Sequence, residues 1–437
     1  MDSKFVDMKT IQLSIILILL SFSLFAQSSA IKVIKAGKLI DPEQGVILEN
    51  QLVLIVNDTI KEVGSNLEIP DSATILDLSN ATVLPGLIDC HTHITSQSGD
   101  KYYERFRKSI VDYAILAPTY ALKTLEAGFT SVRDLGSKAF LDVAMKKAIN
   151  SSKIPGPRMQ TAGYYISSTG GHGDLVGFSP TLDFRGLEEM TGVADGIDGV
   201  RKKIRYLVKY GADVIKFGAS AGVLSEEESV GAAQYTQEEM NAIVAESKIW
   251  DKKTCAHAHG TEAIIMAIKA GVASVEHGSH LDDEGIALMI EKGTYLVADI
   301  YVDDYIISEF DKLDYPKKII DKERQVGLAQ RQNFKKAVNA GVKIAFGTDA
   351  GVYPHGWNGK QFSRMVKWGM TPMQAIQSAT INAADLMGWE NEVGSLKPGK
   401  YADIIAVEGN PVENINVLEN VQFVMKGGKV YKNLISK

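Results

Sequence analysis

Eight histidines occur in the 437 residues: His91, His93, His172, His257, His259, His277, His280 and His355. His91 and His93 flank Thr92, so on an extended strand both imidazoles point to one face and can reach one metal ion. The ordinary alternative is a pair of hydrogen-bonded polar residues at a strand end. His257, His277 and the acid Asp349 each close a further short apolar run, and this recurrence favours metal ligation. Imidazole and carboxylate donors suit zinc or a similar first-row divalent ion.

Ligands so far apart in sequence need a frame that returns strand ends to one place. Eight short apolar runs alternate with stretches at helical spacing: residues 83–89, 130–134, 158–163, 213–218, 254–257, 274–278, 294–298 and 343–349. Repeated βα units of this kind predict an α/β fold, a (β/α)8 TIM barrel with its chemistry at the C-terminal strand ends. One of the intervening helices carries its own start signal, Thr236 with Glu239 three residues on, a capping box. Flanking the barrel, residues 31–82 and 391–437 read as short Val/Ile/Leu-rich strands broken by turn residues. They predict one small β-sandwich built from both termini, with the hydrolytic barrel at 83–390 between them.

Composition narrows the partners. At 45% hydrophobic and 23% charged the chain can bury a large core, and a net charge of −6 without a basic stripe argues against nucleic acid. Residues 1–30 follow a secretory pattern: Lys4 and Lys9, an apolar run from Ile11 to Phe25, then small residues ending at Ala26 or Ala30. The run is shorter than the roughly 20 residues of a membrane span, so the mature chain is expected to be exported, periplasmic or secreted, with no membrane contact. Cys90 and Cys255 are too few for a disulfide framework and read as packing residues. The oligomeric state stays open, a homo-oligomer included.

The segment LPGLIDCHTHI resembles the first-strand signature of the amidohydrolase superfamily, and KIAFGTDAG resembles its eighth. TSVRDLG, TGGHGD, DVIKFGASAG, CAHAHG, SVEHGSHLDDE, VYPHG and LKPGKYADIIAVEGNP are similar to the imidazolonepropionase-related branch, which includes Xaa-Pro dipeptidases and related metallocarboxypeptidases. The resemblance covers nearly the whole mature chain. It implies two metal ions, with His91, His93 and Asp349 on the more buried one and His257 and His277 on the outer one. Lys216 would bridge them as a carbamate formed with carbon dioxide, the alternative being a lysine paired with a rim acid. A metal-bound hydroxide would then attack an amide carbonyl, with Asp349 moving the proton to the leaving amine. Other readings are hydrolysis of a cyclic amide or other small C–N substrate, and a metal-binding barrel without catalysis.

Around this set, His172 in its Gly-rich loop is expected over the site, as a substrate or catalytic contact. Tyr235, His355 and Arg133 are candidate substrate contacts, Arg133 having the alternative of a buried pair with an acid. His259 and His280 are expected either to orient ligating imidazoles or to be ordinary loop residues. Glu226 to Glu228, or Asp303 and Asp304, could select a cationic side chain, so that a C-terminal Arg or Lys competes with Pro as the released residue.

Overall fold

The Val/Ile/Leu-rich strands at the two ends of the chain pair with each other. The structure is a computed structural model that describes residues 30–174, 179, 191–225 and 229–435. The secretory segment, apart from Ala30, and Glu226 to Glu228 therefore lie outside the described residues. Strands β1 (Ile31–Asp41), β2 (Val46–Val56), β3 (Thr59–Gly64) and β4 (Thr74–Pro85) open the chain. Then come β5 (Leu87–Thr92), β6 (Phe129–Asp134), β7 (Arg158–Thr161), β8 (Val214–Gly218), β9 (Lys253–Ala258), β10 (Ser274–His277) and β11 (Tyr295–Val297). The chain returns through β12 (Ile404–Val407), β13 (Phe423–Lys426) and β14 (Lys429–Asn433).

Rather than two facing sheets, the terminal strands form one seven-stranded sheet in the order β14-β13-β12-β4-β1-β2-β3. The junction is β4, which pairs parallel to β1 and antiparallel to β12. Alternation along the central strands sends apolar side chains to both faces. Leu39, Val83, Ile404, Ala406, Phe423 and Met425 enter a core belonging to this sheet, while their neighbours Ile40, Leu84, Ile405, Val407 and Val424 enter the main core. Both faces are covered at these positions, while Lys61, Glu62 and Lys429 on the outer strands stay exposed.

The first apolar run, expected at 83–89, splits. Its first half completes β4, and after Gly86 its second half starts β5, which carries His91 to the other sheet system. Only glycine fits at the break, because a Cβ there would lie 2.1 Å from the Thr130 hydroxyl.

The parallel strands form a three-stranded sheet, β5-β6-β7, and a four-stranded sheet, β11-β10-β9-β8. These regular ladders do not close into a barrel. Single bridges tie their edges: Ile166 to Phe217 on one side, and Leu296 to Ile344 and Thr92 to Ala350 on the other. The eighth apolar run lies between β5 and β11 without a regular ladder, its contacts including Phe346 O accepting from Cys90 N and Ala345 N donating to Leu296 O. Helices connect the strands. The one at Gln237–Ile249 has the expected box: Thr236 Oγ1 accepts from Glu239 N, and Glu239 Oε2 accepts from Thr236 N. Among the described residues no helix is long and apolar enough to cross a membrane.

Candidate active site

Strand ends deliver the expected side chains to one cavity of about 770 Å³, lined by His91, His93, His172, Lys216, His257, His259, His277 and Asp349 among others. His91 precedes the last residue of β5, Lys216 lies inside β8, His257 is next to last in β9, and His277 ends β10. Two of these residues hold a left-handed backbone that side chains avoid: His277 at φ 69° and Asp349 at φ 54°. Such geometry costs stability and concentrates at functional sites. At the eighth segment a hydrogen bond from Asp349 N to His91 O holds it. Beneath it Asp89 accepts from Thr348 Oγ1 at 2.6 Å and from Asn358 Nδ2 at 2.8 Å.

Two groups of side chains in this cavity could each hold a metal ion: His91, His277 and Asp349, and His257, His259 and His277. Their donor atoms converge without bonding one another. Asp349 Oδ1 is 3.2 Å from His93 Nε2 and 3.5 Å from His91 Nε2, yet neither approach has hydrogen-bond geometry. The buried His257 Nε2 and His172 Nδ1 also lack hydrogen bonds. Buried polar atoms are normally satisfied, so a pocket of orphaned imidazole and carboxylate donors fits a cation.

The far side of several rings is anchored. His93 Nδ1 is 3.0 Å from Gly136 O, His259 Nδ1 is 2.7 Å from Ser279 Oγ, and His277 Nδ1 is 2.9 Å from Asp299 Oδ1. Gln330 Nε2 donates to the same Asp299 oxygen at 2.9 Å. Anchoring one ring nitrogen fixes which nitrogen is free to ligate. The His172 ring stacks on His257 with centroids 4.2 Å apart. Gly222 backs this pair, since a Cβ there would come within 2.5 Å of His172 and 2.7 Å of His257.

Charge follows from burial. Burial, aided by Lys216, holds the His91 imidazole well below its usual range. Burial with the neighbouring imidazoles does the same for His257 and His259, and takes His172 down to about 3. These rings are neutral and able to donate a lone pair. For Asp349 burial acts upward but is outweighed by the facing His93, an imidazole whose own proton is held more tightly than usual, leaving Asp349 a carboxylate below the usual range. Burial lowers the Lys216 ammonium, whose Nζ lies 5.9 Å from the centre of the Tyr165 ring.

Residues 82–431 match the amidohydrolase family. The chain belongs to this family. It is 34% identical over 427 residues to an ochratoxinase of Aspergillus niger, covering 92% of this chain and 87% of the relative. An imidazolonepropionase of Geobacillus sp. (strain WCH70) is 24% identical, over 88% of this chain and 92% of its own. Among solved structures, a Xaa-Pro dipeptidase with bound methionine in the active site superposes with a TM-score of 0.88 at 40% identity, over 92% of this chain and all of the other. With such relatives, this amidohydrolase is an enzyme that hydrolyses C–N bonds.

Not every expected residue reaches the cavity of the amidohydrolase. Arg133 is buried beneath it, donating to Cys90 O, Ser274 Oγ and Glu276 Oε1, so its guanidinium is committed to the interior and is not a substrate contact. Tyr235 is buried and donates its hydroxyl to Ala194 O at 2.8 Å. His355 stacks on Tyr120 and places Nε2 2.8 Å from Ser96 O, bracing a loop instead of facing substrate. His280 is tied through its backbone, N to His259 O and O to Thr261 Oγ1. None of these four is among the described lining residues. His259, expected as an orienting partner, instead stands among the possible ligands. Asp304 is paired with Arg331 and Arg364, and Asp303, which lines the cavity, lies 3.3 Å from the same Arg331.

Sequence reasoning passed over Glu276 and Asp299. Asp299 directly follows the seventh apolar run, the strand-end signal that identified Asp349. Glu276 precedes His277 and so has the opposite parity, which reads as pointing away from the ligands.

Proposed function

We propose that this chain is a binuclear metal-dependent amidohydrolase that releases a C-terminal residue, Pro or a basic residue, from short or N-acylated peptides after export. The observation that carries the reading is the convergence of both possible ligand groups, sharing His277, on one cavity with Lys216. In this proposal the two parallel sheets, tied by single bridges, are arcs of one (β/α)8 barrel, and strand ends supply every ligand. A cavity of about 770 Å³ falls within the roughly 300–1,000 Å³ of small-molecule sites. The 40% identical Xaa-Pro dipeptidase supports the peptide reading.

His91, His93 and Asp349 would hold one ion, and His257 and His277 the other, with His259 at hand. Bound there, zinc ions would polarise an amide carbonyl and make water a nucleophile near neutral pH. Lys216, with its ammonium disfavoured by burial, is suited to react as the free amine with carbon dioxide, giving a carbamate and a proton. That exchange turns a cation beside metal ions into an anion. Asp349, a carboxylate at the cavity wall, is placed to take up a proton and return it to the leaving amine. His172, neutral and stacked over His257, can hydrogen-bond the substrate carbonyl.

The test is release of free amino acids from Xaa-Pro, Xaa-Arg, Xaa-Lys and Xaa-Leu dipeptides and N-acyl amino acids by the zinc-loaded protein. Turnover that Asp349→Asn abolishes supports the reading; turnover of ring amides with no peptide cleavage overturns it in favour of a cyclic-amide hydrolase.

A further inference from the structure

We propose that Glu276 and Arg133 form a buried positioning pair that sets the tautomer of His91 and so governs its hold on a metal ion. The inference rests on the metal reading above. Glu276 and Arg133 are 0% and 1% exposed; Glu276 lies on β10 directly before His277, and Arg133 lies on β6, which pairs with the β5 strand that carries His91. Carboxylate oxygen Oε1 is fully used: Arg133 Nη2 donates to it at 2.8 Å and Ser274 Oγ at 2.5 Å. The other oxygen, Oε2, makes no hydrogen bond and lies 3.0 Å from His91 Nδ1, which is also buried and without one. Among the described residues neither atom has a hydrogen bond, and the 3.0 Å between them is that of an N–H···O bond from which the present ring orientation departs.

A carboxylate can only accept, so the facing ring nitrogen must carry the proton. The lone pair is then on Nε2, the atom 3.5 Å from Asp349 Oδ1 and turned toward the possible ligand group. Arg133 makes this pairing stiff. Its Nε donates at 2.7 Å to the carbonyl of Cys90, the residue before His91. One guanidinium therefore clamps both the backbone that carries the imidazole and the carboxylate that orients it. The same device recurs across the cavity, where Asp299 anchors His277 Nδ1 and Gln330 takes the place of Arg133. Ligating imidazoles characteristically need such partners.

The experiment measures zinc affinity of the full chain by competition with a chromophoric chelator, together with ring nitrogen shifts of His91 in the metal-free protein. Variants are Glu276→Gln, and Glu276→Gln combined with Arg133→Met, the second removing the buried guanidinium charge should the single variant fail to fold. The expected result is the Nδ1–H tautomer of His91 in the wild type, a mixture in the variants, and loss of about 10–100-fold in affinity for one zinc equivalent. Arg133→Lys, which keeps a cation beside Glu276 but loses the fork that also holds Cys90 O, is expected to retain more of the affinity than the double variant and less than the wild type. An Nε2–H tautomer in the wild type, or zinc affinities unchanged in a folded variant, overturns the inference. A wild-type chain that binds no zinc overturns the metal reading and this inference with it, a result distinct from unchanged binding in the variants.

Discussion

The two sides of the cavity are built differently. One side, His91 and His93 with Asp349, brings its own negative charge; the other, His257, His259 and His277, is made of imidazoles alone with the Lys216 amine beside them. A dication taken out of water needs compensating charge. The carboxylate side supplies it directly, whereas the imidazole side has no carboxylate among its possible ligands, and under the proposal above a carbamate on Lys216 would supply that charge. The difference predicts two ions held unequally, and it places the chemistry where the charged residue stands.

Removing the charged residue should have the largest effect. Asp349→Asn is expected to lower kcat/KM by about 10²–10⁴-fold, the usual worth of a positioned acid–base group, with the fold intact by circular dichroism. A loss below tenfold would dissolve the distinction between the two sides. Next comes Lys216→Ala, for which metal analysis should find about one ion per chain instead of two, with partial recovery of binding in acetate or another short carboxylate. Full metal content in this variant would mean that the imidazole side needs no added charge.

A smaller effect is expected from His259→Ala, about tenfold weaker zinc on the imidazole side alone, against no change for His280→Ala. Equal effects from the two would remove His259 from the ligand group. Smallest is His172→Asn. Since burial takes its imidazole down to about 3, His172 is already neutral above that pH and should add no protonation step near neutrality. KM is expected to rise less than about tenfold, and the acid limb of the rate profile to stay where it is. A shifted limb would show that His172 titrates in the working range.

What could be read in advance divides along the same physical line. Parity and strand-end position located His91, His93, His257, His277 and Asp349, because alternation determines which side chains share a face. The capping box at Thr236 was equally legible, being a local device. Long-range choices were not. Nothing local distinguishes an inward Arg133 that meets substrate from one that meets Glu276 on a strand more than a hundred residues away. Nor could apolar alternation in the terminal strands tell a two-layer sandwich from one sheet covered on both faces. The break at Gly86 was hidden for a similar reason: the space that forbids a side chain there is occupied by Thr130.

The central claim is that the two sides act together, each holding one ion. Titrating metal-free protein with zinc while following hydrolysis of a cleaved dipeptide tests it most directly. The account predicts tight uptake of a first equivalent with little activity and full activity only as the second binds. Activity that saturates at one equivalent, or persists in chelator with no metal bound, would contradict it.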